Sequence, residues 1–237
     1  MSVLVLVRHG KASAFSQDGY DQLSEPGYAQ ARALGEHWAH ERAAFDQVFV
    51  GPRKRHVQTY ETVVEIMRAA GIAWPEPTHV PELDEHDGIG LVFKMLPELG
   101  REDAELRAIV EAMARGEQPV AQLMSAFKRL TRRWARGEIG HADVESWREF
   151  RARVERGLVK MRAGAVGGER LVAFTSAGTV AAAVGHAVDA GDEKVLDLSW
   201  SLYNGALTEL AFSAQGWRLV RFNGTPHLRD ARLVTSV

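Results

Sequence analysis

Short apolar runs alternate along the chain with stretches in which apolar residues recur every three or four positions. Val3 to Val7 is a continuous, mostly β-branched run, which is typical of a strand buried on both faces of a parallel sheet. Ser24 and Pro26 are helix-start signals, and the apolar residues behind them keep helical spacing. These residues are Tyr28, Ala31, Leu34 and Trp38. The pattern predicts a strand, a loop and a helix.

The same alternation continues along the chain. Further strands are predicted at residues 45–50, 171–175, 207–212 and 219–222. Gly51-Pro52 separates the first of these from a helix that reaches about Ala70, and an alanine-rich helix follows the second. We therefore expect an α/β fold of three layers, in which helices cover both faces of a mostly parallel, doubly wound sheet. A single domain would span residues 1–237.

Residues 89–140 interrupt this pattern because they contain no strand signal. Leu106 to Met113 and Val120 to Trp134 keep helical spacing instead, which predicts a helical insertion. The second of these helices carries a basic face made of Lys128, Arg129, Arg132, Arg133 and Arg136. We interpret this face as the solvated side of an amphipathic helix. The alternative is the rim of a lid that attracts anionic substrates.

Composition narrows the class of protein. The chain has 237 residues, of which 46% are hydrophobic, enough for one large core. Its 29 basic and 31 acidic residues give a net charge of −2, which argues against nucleic acid or an acidic membrane surface as a partner. The absence of cysteine excludes disulfides and thiolate chemistry. The apolar run after Met1 is too short for a signal peptide or a membrane span, so we expect a cytoplasmic protein.

Polar residues follow the predicted strands, at the edge where parallel sheets bind ligands. The first strand ends in Arg8-His9-Gly10, and the second in the cationic sequence GPRKR at residues 51–55. Residues 81–88, PELDEHDG, form an acidic loop. Arginine binds phosphate with a fork of donors, imidazole is a nucleophile toward phosphorus, and a helix start attracts anions. Together the three segments predict a phosphate clamp, a nucleophile and a proton donor.

These and several other segments resemble the motifs of the histidine phosphatase superfamily, the phosphoglycerate mutase-like group, over most of the chain. The corresponding sequences are RHG at residues 8–10, LSEPGYAQA at 23–31, GPRKRHVQT at 51–59, LDE at 83–85, ESWREF at 145–150 and YNG at 203–205. Gly51 stands where the family usually has serine. The order of the motifs is more specific than any one of them.

The resemblance implies a hydrolase that removes phosphate in two steps through a phosphohistidine, without a metal or another cofactor. His9 would attack phosphorus, while Arg8 and Arg55 would neutralise the phosphate oxygens. Gly10 would let the backbone approach the phosphate. Glu85 would protonate the leaving oxygen and then help to activate water.

Two of these assignments depend on motif register alone. Asp84 and His86 flank Glu85 and could each be mistaken for the acid, but the register favours Glu85. Arg53 is also close to the expected clamp, and the same reasoning makes it a solvent-facing neighbour of the phosphate-binding arginine.

One position departs from the family pattern. Most of the superfamily has a second pocket histidine after the strand at 171–175, in a sequence like SHGG, but this chain reads TSAG at residues 175–178. Ser176, with Ala177 beside it, would therefore contact the phosphate. A hydroxyl donates one hydrogen bond but carries no positive charge, and losing a positioned donor costs on the order of a thousandfold in rate. A bacterial branch of the family carries this serine with the rest of the pocket.

Three further residues are candidates for the pocket. Lys11, directly after the RHG motif, or His227 could supply the missing positive charge. His227 equally fits a structural role in holding the tail of the chain against the domain. Asn204 corresponds to an asparagine that the family carries before a late strand.

The resemblance leaves three functions open. The first is a phosphatase acting on a small phosphorylated molecule or a phosphoprotein, which the intact set of motif residues favours. The second is a phosphoglycerate mutase, which is disfavoured because Ser13 to Tyr20 lacks the Trp-Asn and Thr-Gly-Trp sequences of the mutases. The third is a protein that binds or senses a phosphorylated ligand and turns it over poorly, which Ser176 favours.

Overall fold

The computed structural model of the protein describes residues 1–13 and 21–236. The strands are β1 (Ser2–Arg8), β2 (Gln47–Val50), β3 (Pro77–His79), β4 (Arg170–Thr175), β5 (Leu207–Ser213) and β6 (Gly216–Gly224). The helices are α1 (Glu25–His40), α2 (Lys54–Ala69), α3 (Gly88–Leu99), α4 (Ala104–Ala114), α5 (Val120–Ala135), α6 (Trp147–Ala163), α7 (Ala177–Ala187) and α8 (Asp192–Ser201). Two short 3₁₀ turns lie at Pro81–Leu83 and Ala231–Leu233.

The strands form one mixed sheet in the order β3-β2-β4-β1-β5-β6, with helices on both sides. β3, β2, β4 and β1 pair in parallel, whereas β5 and β6 pair in antiparallel fashion. The predicted α/β class is confirmed. The antiparallel edge is the feature that local patterning did not predict, because a strand's own pattern does not encode its partner's direction.

The register of the sheet brings three strand ends together. Arg8 of β1 pairs with Thr175 of β4, and Phe174 of β4 pairs with Val50 of β2. The residues that follow these strands therefore lie side by side at the carboxyl edge of the sheet. The candidate site residues that follow β1, β2 and β4 therefore lie at this edge.

Local signals explain how α1 begins. Ser24 is its N-cap, and the Ser24 side chain accepts a hydrogen bond from the amide of Gly27. Pro26 lies in the first turn, where its missing N–H costs nothing. The predicted start is confirmed, and the four apolar residues at helical spacing cover one side of the helix.

The chain divides into two compact units, residues 1–85 with 153–237, and residues 86–152. In the first unit, the core between α1, α2 and the sheet is rich in aromatic rings. Four pairs among Trp38, Phe45, Trp74 and Phe174 have ring centroids 4.9 to 6.5 Å apart. In the second unit, α3, α4 and α5 pack around the buried side chains of Val92, Leu96, Leu106, Ile109, Ala126 and Leu130.

Three residues of the basic face on and just after α5 form ion pairs inside the second unit. Arg129 contacts Asp103 and Glu105, at 3.0 and 3.4 Å. Glu138 lies 3.3 Å from Arg133 and 3.6 Å from Arg136. These contacts agree with a solvated helix face. None of the helices described is long and apolar enough to cross a membrane.

Candidate active site

His9 is held at the end of β1 by its neighbours. Its backbone amide donates to the Thr175 carbonyl of β4 at 2.9 Å, and its own carbonyl accepts from Gly205 at 3.1 Å. The ring Nδ1 lies 2.7 Å from the Gly10 carbonyl, and Nε2 lies 3.0 Å from Nε of Arg55. A guanidinium only donates and a carbonyl only accepts. The proton is therefore on Nδ1, and Nε2 carries the free electron pair.

The surroundings of His9 keep the ring neutral. The side chain is buried, and burial lowers its pKa well below the usual value, with the positive charges of Arg55 and Arg8 acting in the same direction. An imidazolium ion here would lack solvent and face two cations. At neutral pH the His9 ring is thus uncharged and has a defined orientation.

Two buried arginines lie beside His9. The guanidinium of Arg8 donates to the Leu202 carbonyl. When the Asn204 amide is oriented to donate to Thr235, its oxygen accepts from Nη2 of Arg8 at 3.2 Å. Arg55 lies in the first turn of α2, where its Nη1 contacts a carboxylate oxygen of Asp21 at 2.9 Å. Both arginines are about 95% buried or more, with 3% and 5% of their surface exposed.

Ser176 lies between β4 and α7 and is completely buried. Its hydroxyl accepts a 3.4 Å hydrogen bond from Nη2 of Arg55. It also lies 2.6 Å from Nε2 of His56. The position where the family pattern has a histidine therefore carries a hydroxyl that contacts one of the candidate phosphate ligands.

Glu85 reaches the same edge of the sheet from the acidic loop. Its carboxylate accepts a hydrogen bond of 3.2 Å from the amide of Gly178, in the first turn of α7. The N-terminus of a helix is positive, so it stabilises a nearby anion. Glu85 therefore contacts a residue that lies only two positions after Ser176 in the chain.

The backbone of the acidic loop is fixed by side chains from three elements. Thr175 of β4 donates to the carbonyl of Leu83 at 2.6 Å, and Thr179 of α7 donates to that of Asp84 at 2.7 Å. Arg153 of α6 donates to the carbonyls of Glu82 and Asp84 at 3.1 and 3.0 Å. These bonds hold the residue that follows, Glu85, in place.

The neighbours of Glu85 have other partners. Asp84 forms an ion pair with Arg53, so neither the carboxylate nor the guanidinium is simply solvated. Arg53 keeps 35% of its side chain exposed while it contacts Asp84. His86 packs against the rings of Trp134 and Phe150 in the second unit.

A pair of glycines lets the loop after β1 approach α1. A Cβ added to Gly10 would lie 2.4 Å from the Gly27 carbonyl oxygen, and one added to Gly27 would lie 2.2 Å from that of Lys11. The glycine of the RHG motif and the glycine of the LSEPGYAQA motif thus pack directly against each other. Gly10 also donates to the hydroxyl of Thr59 at 3.2 Å.

Glutamines of the two helical motifs support the same loop. Gln30 accepts from the amide of Lys11 at 2.7 Å and donates to the carbonyl of Leu233 at 2.7 Å. Gln58 accepts from the amide of Leu23 at 2.8 Å. These residues shape the backbone around the site, which explains why they accompany the chemical motifs.

Two of the predicted residues are placed differently from the others. The side chain of Lys11 is exposed, and the contacts above involve its backbone. His227 is buried near His37, and burial lowers the pKa of His227 to about 4. It is therefore neutral at neutral pH and does not supply the missing positive charge. Ala177, by contrast, is buried as the first residue of α7, directly after Ser176.

Sequence reasoning missed two residues that touch the predicted set. Asp21 contacts Arg55, but it follows directly on the undescribed residues 14–20, in a part of the sequence without a recognisable motif. His56 occupies a variable position of the motif at 51–59, so the motif does not single it out. The signal that could have found it is the pair of departures from the family pattern at Gly51 and Ser176.

Comparison with known proteins identifies a family and a shared fold. The histidine phosphatase superfamily (branch 1) matches residues 4–89 and 112–225, whereas no curated protein matched the sequence. Similar solved structures include the alpha-ribazole phosphatase of Shigella flexneri, with 16% identity over 94% of this chain and 96% of that chain and a TM-score of 0.61. A phosphoserine phosphatase mutant of Entamoeba histolytica in complex with phosphoserine has 17% identity over 96% and 100%, with a TM-score of 0.59. The mycobacterial glucosyl-3-phosphoglycerate phosphatase has 18% identity over 94% and 98%, with a TM-score of 0.60.

Proposed function

Since this chain belongs to branch 1 of the histidine phosphatase superfamily, we propose that it is a phosphatase that hydrolyses phosphomonoesters through a phosphohistidine at His9. The observation that carries the proposal is the state of that ring. Nδ1 is tied to the Gly10 carbonyl, and Nε2 is unprotonated and beside the buried cation of Arg55. A neutral, oriented imidazole next to fixed positive charge suits attack on a phosphate ester.

The first step transfers the phosphoryl group to the protein. Phosphate oxygens compete for the N–H groups of Arg55, which releases Nε2 of His9 to attack phosphorus in line with the ester bond. Arg8 and Arg55 neutralise the charge on the phosphate oxygens. Glu85, in its acid form, gives its proton to the leaving oxygen as the P–O bond breaks. The products are an alcohol and phosphohistidine.

The second step returns the protein to its starting state. The Glu85 carboxylate accepts a proton from water, and the water oxygen attacks the phosphorus of phosphohistidine. The P–N bond breaks, and inorganic phosphate leaves. Glu85 then holds the proton that the next cycle needs, while Nε2 of His9 recovers its electron pair. In this scheme no metal ion or other cofactor takes part.

We infer that the substrate is a small phosphorylated molecule or a phosphoprotein. The structural relatives are named as phosphatases of three different compounds, so fold similarity does not choose among substrates. The segment that bears on a mutase reading, Ser13 to Tyr20, lies outside the described residues from position 14 onward. Its sequence still lacks the mutase signature, which supports hydrolysis over mutase activity.

The experiment measures release of phosphate from a generic aryl phosphate in the presence of a metal chelator. Wild type, His9→Ala and the exposed-site control His79→Ala are compared, and the reaction is quenched in base to trap phosphohistidine, which acid destroys. We expect turnover and a trapped phosphohistidine in wild type and the control, and neither in His9→Ala. Turnover that persists in His9→Ala would contradict the proposal.

A second candidate is a protein that binds a phosphorylated ligand without turning it over. Ser176 and the Asp21 carboxylate on Arg55 favour it, because the first lacks a charge and the second already partly neutralises the clamp. This candidate predicts phosphate binding that weakens in Arg8→Ala, with no turnover in wild type.

A further inference from the structure

His56 is a buried imidazole beside the site that the two-step reaction leaves without a role. It directly follows Arg55 in the first turn of α2 and has no exposed surface. Its ring centroid lies 5.7 Å from that of His9, and its Nε2 lies 2.6 Å from the Ser176 hydroxyl. A fully buried polar ring is destabilising unless its nitrogens are hydrogen-bonded. The contact with Ser176 thus gives the buried His56 ring a hydrogen-bond partner.

The ring of His56 occupies space that a side chain at position 51 would fill. A Cβ added to Gly51 would lie 2.4 Å from Nδ1 of His56 and 3.0 Å from the Leu83 carbonyl oxygen. Atoms cannot approach so closely, so the His56 ring and a side chain at position 51 exclude each other. The glycine is therefore a condition for the position of the ring, although the family motif usually has serine there.

The Ser176 hydroxyl is available for this contact because it does not cap its own helix. Ser176 is the N-cap of α7, yet its side chain forms no hydrogen bond to the first amides of that helix. Serine at an N-cap commonly makes such a bond. Here the hydroxyl instead meets Arg55 and His56, which are side chains of α2.

The donors and acceptors around the Ser176 hydroxyl define the direction of its hydrogen bonds. A serine oxygen has two acceptor sites and one hydrogen to donate. Arg55 fills one acceptor site, since a guanidinium only donates. When Nε2 of His56 carries its proton, it fills the other. The hydroxyl hydrogen of Ser176 is then left to point at a phosphate oxygen bound beside His9.

We propose that His56 is a positioning residue of the phosphate pocket, which acts by fixing the Ser176 hydroxyl as a donor to the phosphate, and that Gly51 makes this possible. The inference rests on the proposed function because it assumes that phosphate binds at His9. The two departures from the family pattern, a glycine at 51 and a hydroxyl at 176, thus accompany an imidazole at the variable position 56.

The proposal predicts that restoring the family residue alone is harmful. In Ser176→His the new ring competes with the His56 ring for the same space, so we expect turnover to fall below that of wild type. Combining Ser176→His with His56→Ala frees the space and is expected to recover part of the loss. An increase in turnover in the single variant would overturn the proposal.

A double-mutant cycle tests the contact directly. We expect Ser176→Ala and His56→Ala each to lower kcat by about a hundredfold to a thousandfold, as for loss of one positioned donor, with much smaller changes in KM. The double variant is expected to be no worse than the poorer single variant. His56→Gln, whose amide can also donate to Ser176, is expected to retain more activity than His56→Ala. His37→Gln, a half-buried histidine on α1, is the control.

Losses that multiply in the double variant, or a wild-type kcat in His56→Ala, would overturn the proposal. Thermal unfolding identifies variants that fail to fold. If His56→Ala fails to fold, His56→Gln takes its place in the cycle. Ser176→Ala removes only a hydroxyl, so we expect that variant to fold.

A binding measurement separates this inference from the proposed function. The same cycle is run on the affinity for inorganic phosphate by calorimetry. If wild type binds phosphate but does not turn over the aryl phosphate, the proposed function fails. Coupling between His56 and Ser176 in the affinities then still supports the inference, and its absence overturns it. If wild type does not bind phosphate at all, both fail.

Discussion

The two units of the protein use arginine in opposite ways. At the sheet edge of the first unit, Arg8 and Arg55 are buried, and most of the partners named above are uncharged atoms: carbonyl and amide oxygens, an imidazole nitrogen and a hydroxyl. On α5 of the second unit, Arg129 and Arg133 have about two fifths of their side chains exposed and contact carboxylates. Carboxylates cancel a positive charge, whereas neutral acceptors orient it without cancelling it. Only the first arrangement keeps charge ready for an anion.

The exception sharpens this difference. Asp21 contacts Arg55 at the sheet edge, but 37% of its side chain is exposed. An exposed carboxylate can exchange its partner for water at little cost. In the proposed reaction, a phosphate group can therefore displace Asp21 from Arg55 more easily than it could displace a buried, fixed carboxylate.

The largest expected effect comes from removing a buried arginine. We expect Arg55→Ala to lower kcat/KM on the order of a thousandfold, about 4 kcal/mol of transition-state stabilisation, because the positive charge beside the nucleophile is lost. Arg115→Ala, which removes an exposed ion pair with Glu117 in the second unit, is the matched control and should retain wild-type kinetics. Steady-state assays on an aryl phosphate measure both. Equal effects of the two substitutions would contradict the difference drawn between the buried arginines of the first unit and the exposed arginines of the second.

The next effect concerns the close approach of the loop after β1 to α1. Gly10→Ala forces a Cβ against the backbone of Gly27, and we expect a loss of about 1–3 kcal/mol in the free energy of unfolding, as for overpacked sites. Gly140→Ala is the control in the second unit, since a Cβ there would meet no atom within 4 Å. Urea unfolding monitored by circular dichroism measures both. A neutral Gly10→Ala would mean that the loop can move away from α1.

Burial of neutral histidines makes the first unit sensitive to acid. The pKa of His227 is about 4 when folded and near 6.5 when unfolded, so below pH 6.5 the unfolded chain binds the proton more readily. Stability is therefore complete above pH 6.5 and falls as the pH drops toward 4, by about 2 kcal/mol at pH 5 from this residue. We expect His227→Gln to reduce the slope of unfolding free energy against pH between 6.5 and 4.5. An unchanged slope would show that His227 is protonated in the folded protein.

The smallest effect is expected on the basic face of α5. Arg129→Ala removes contacts with Asp103 and Glu105 that lie at the surface, and such pairs contribute about 0–1 kcal/mol. We expect a change in unfolding free energy within that range, and one that decreases further when the salt concentration is raised. A larger loss, independent of salt, would mean that this face is more than a solvated helix surface.

Sequence patterns predicted the parts of the fold whose information is local. The buried run of β1, the Ser24 cap of α1 and the periodicity of α2, α4 and α5 are properties of neighbouring residues. The candidate site was reachable for a related reason: parallel strands place the residues that follow them at one edge, so a motif after each strand is enough to assemble it.

The parts that escaped prediction depend on residues far apart in the chain. The antiparallel pairing of β5 with β1 is set by the sheet as a whole, and β3 is too short to produce a pattern. The partners of His56 and Asp21 follow from how α2 is placed against β4 and the loop after β1. A single buried side chain carries no periodicity, so only its contacts reveal what it does.

The central position of β1 has a consequence for how the protein is made. Val3 pairs with Arg170 of β4 on one side and with Ala211 of β5 on the other. During synthesis, the apolar strand that precedes His9 has no partner until the ribosome has produced β4, and it has only one until β5 follows. Closing such long loops is entropically costly and slow, and an unpaired apolar strand invites aggregation. The sheet edge that carries His9 therefore becomes complete only after β4 and β5 have been made.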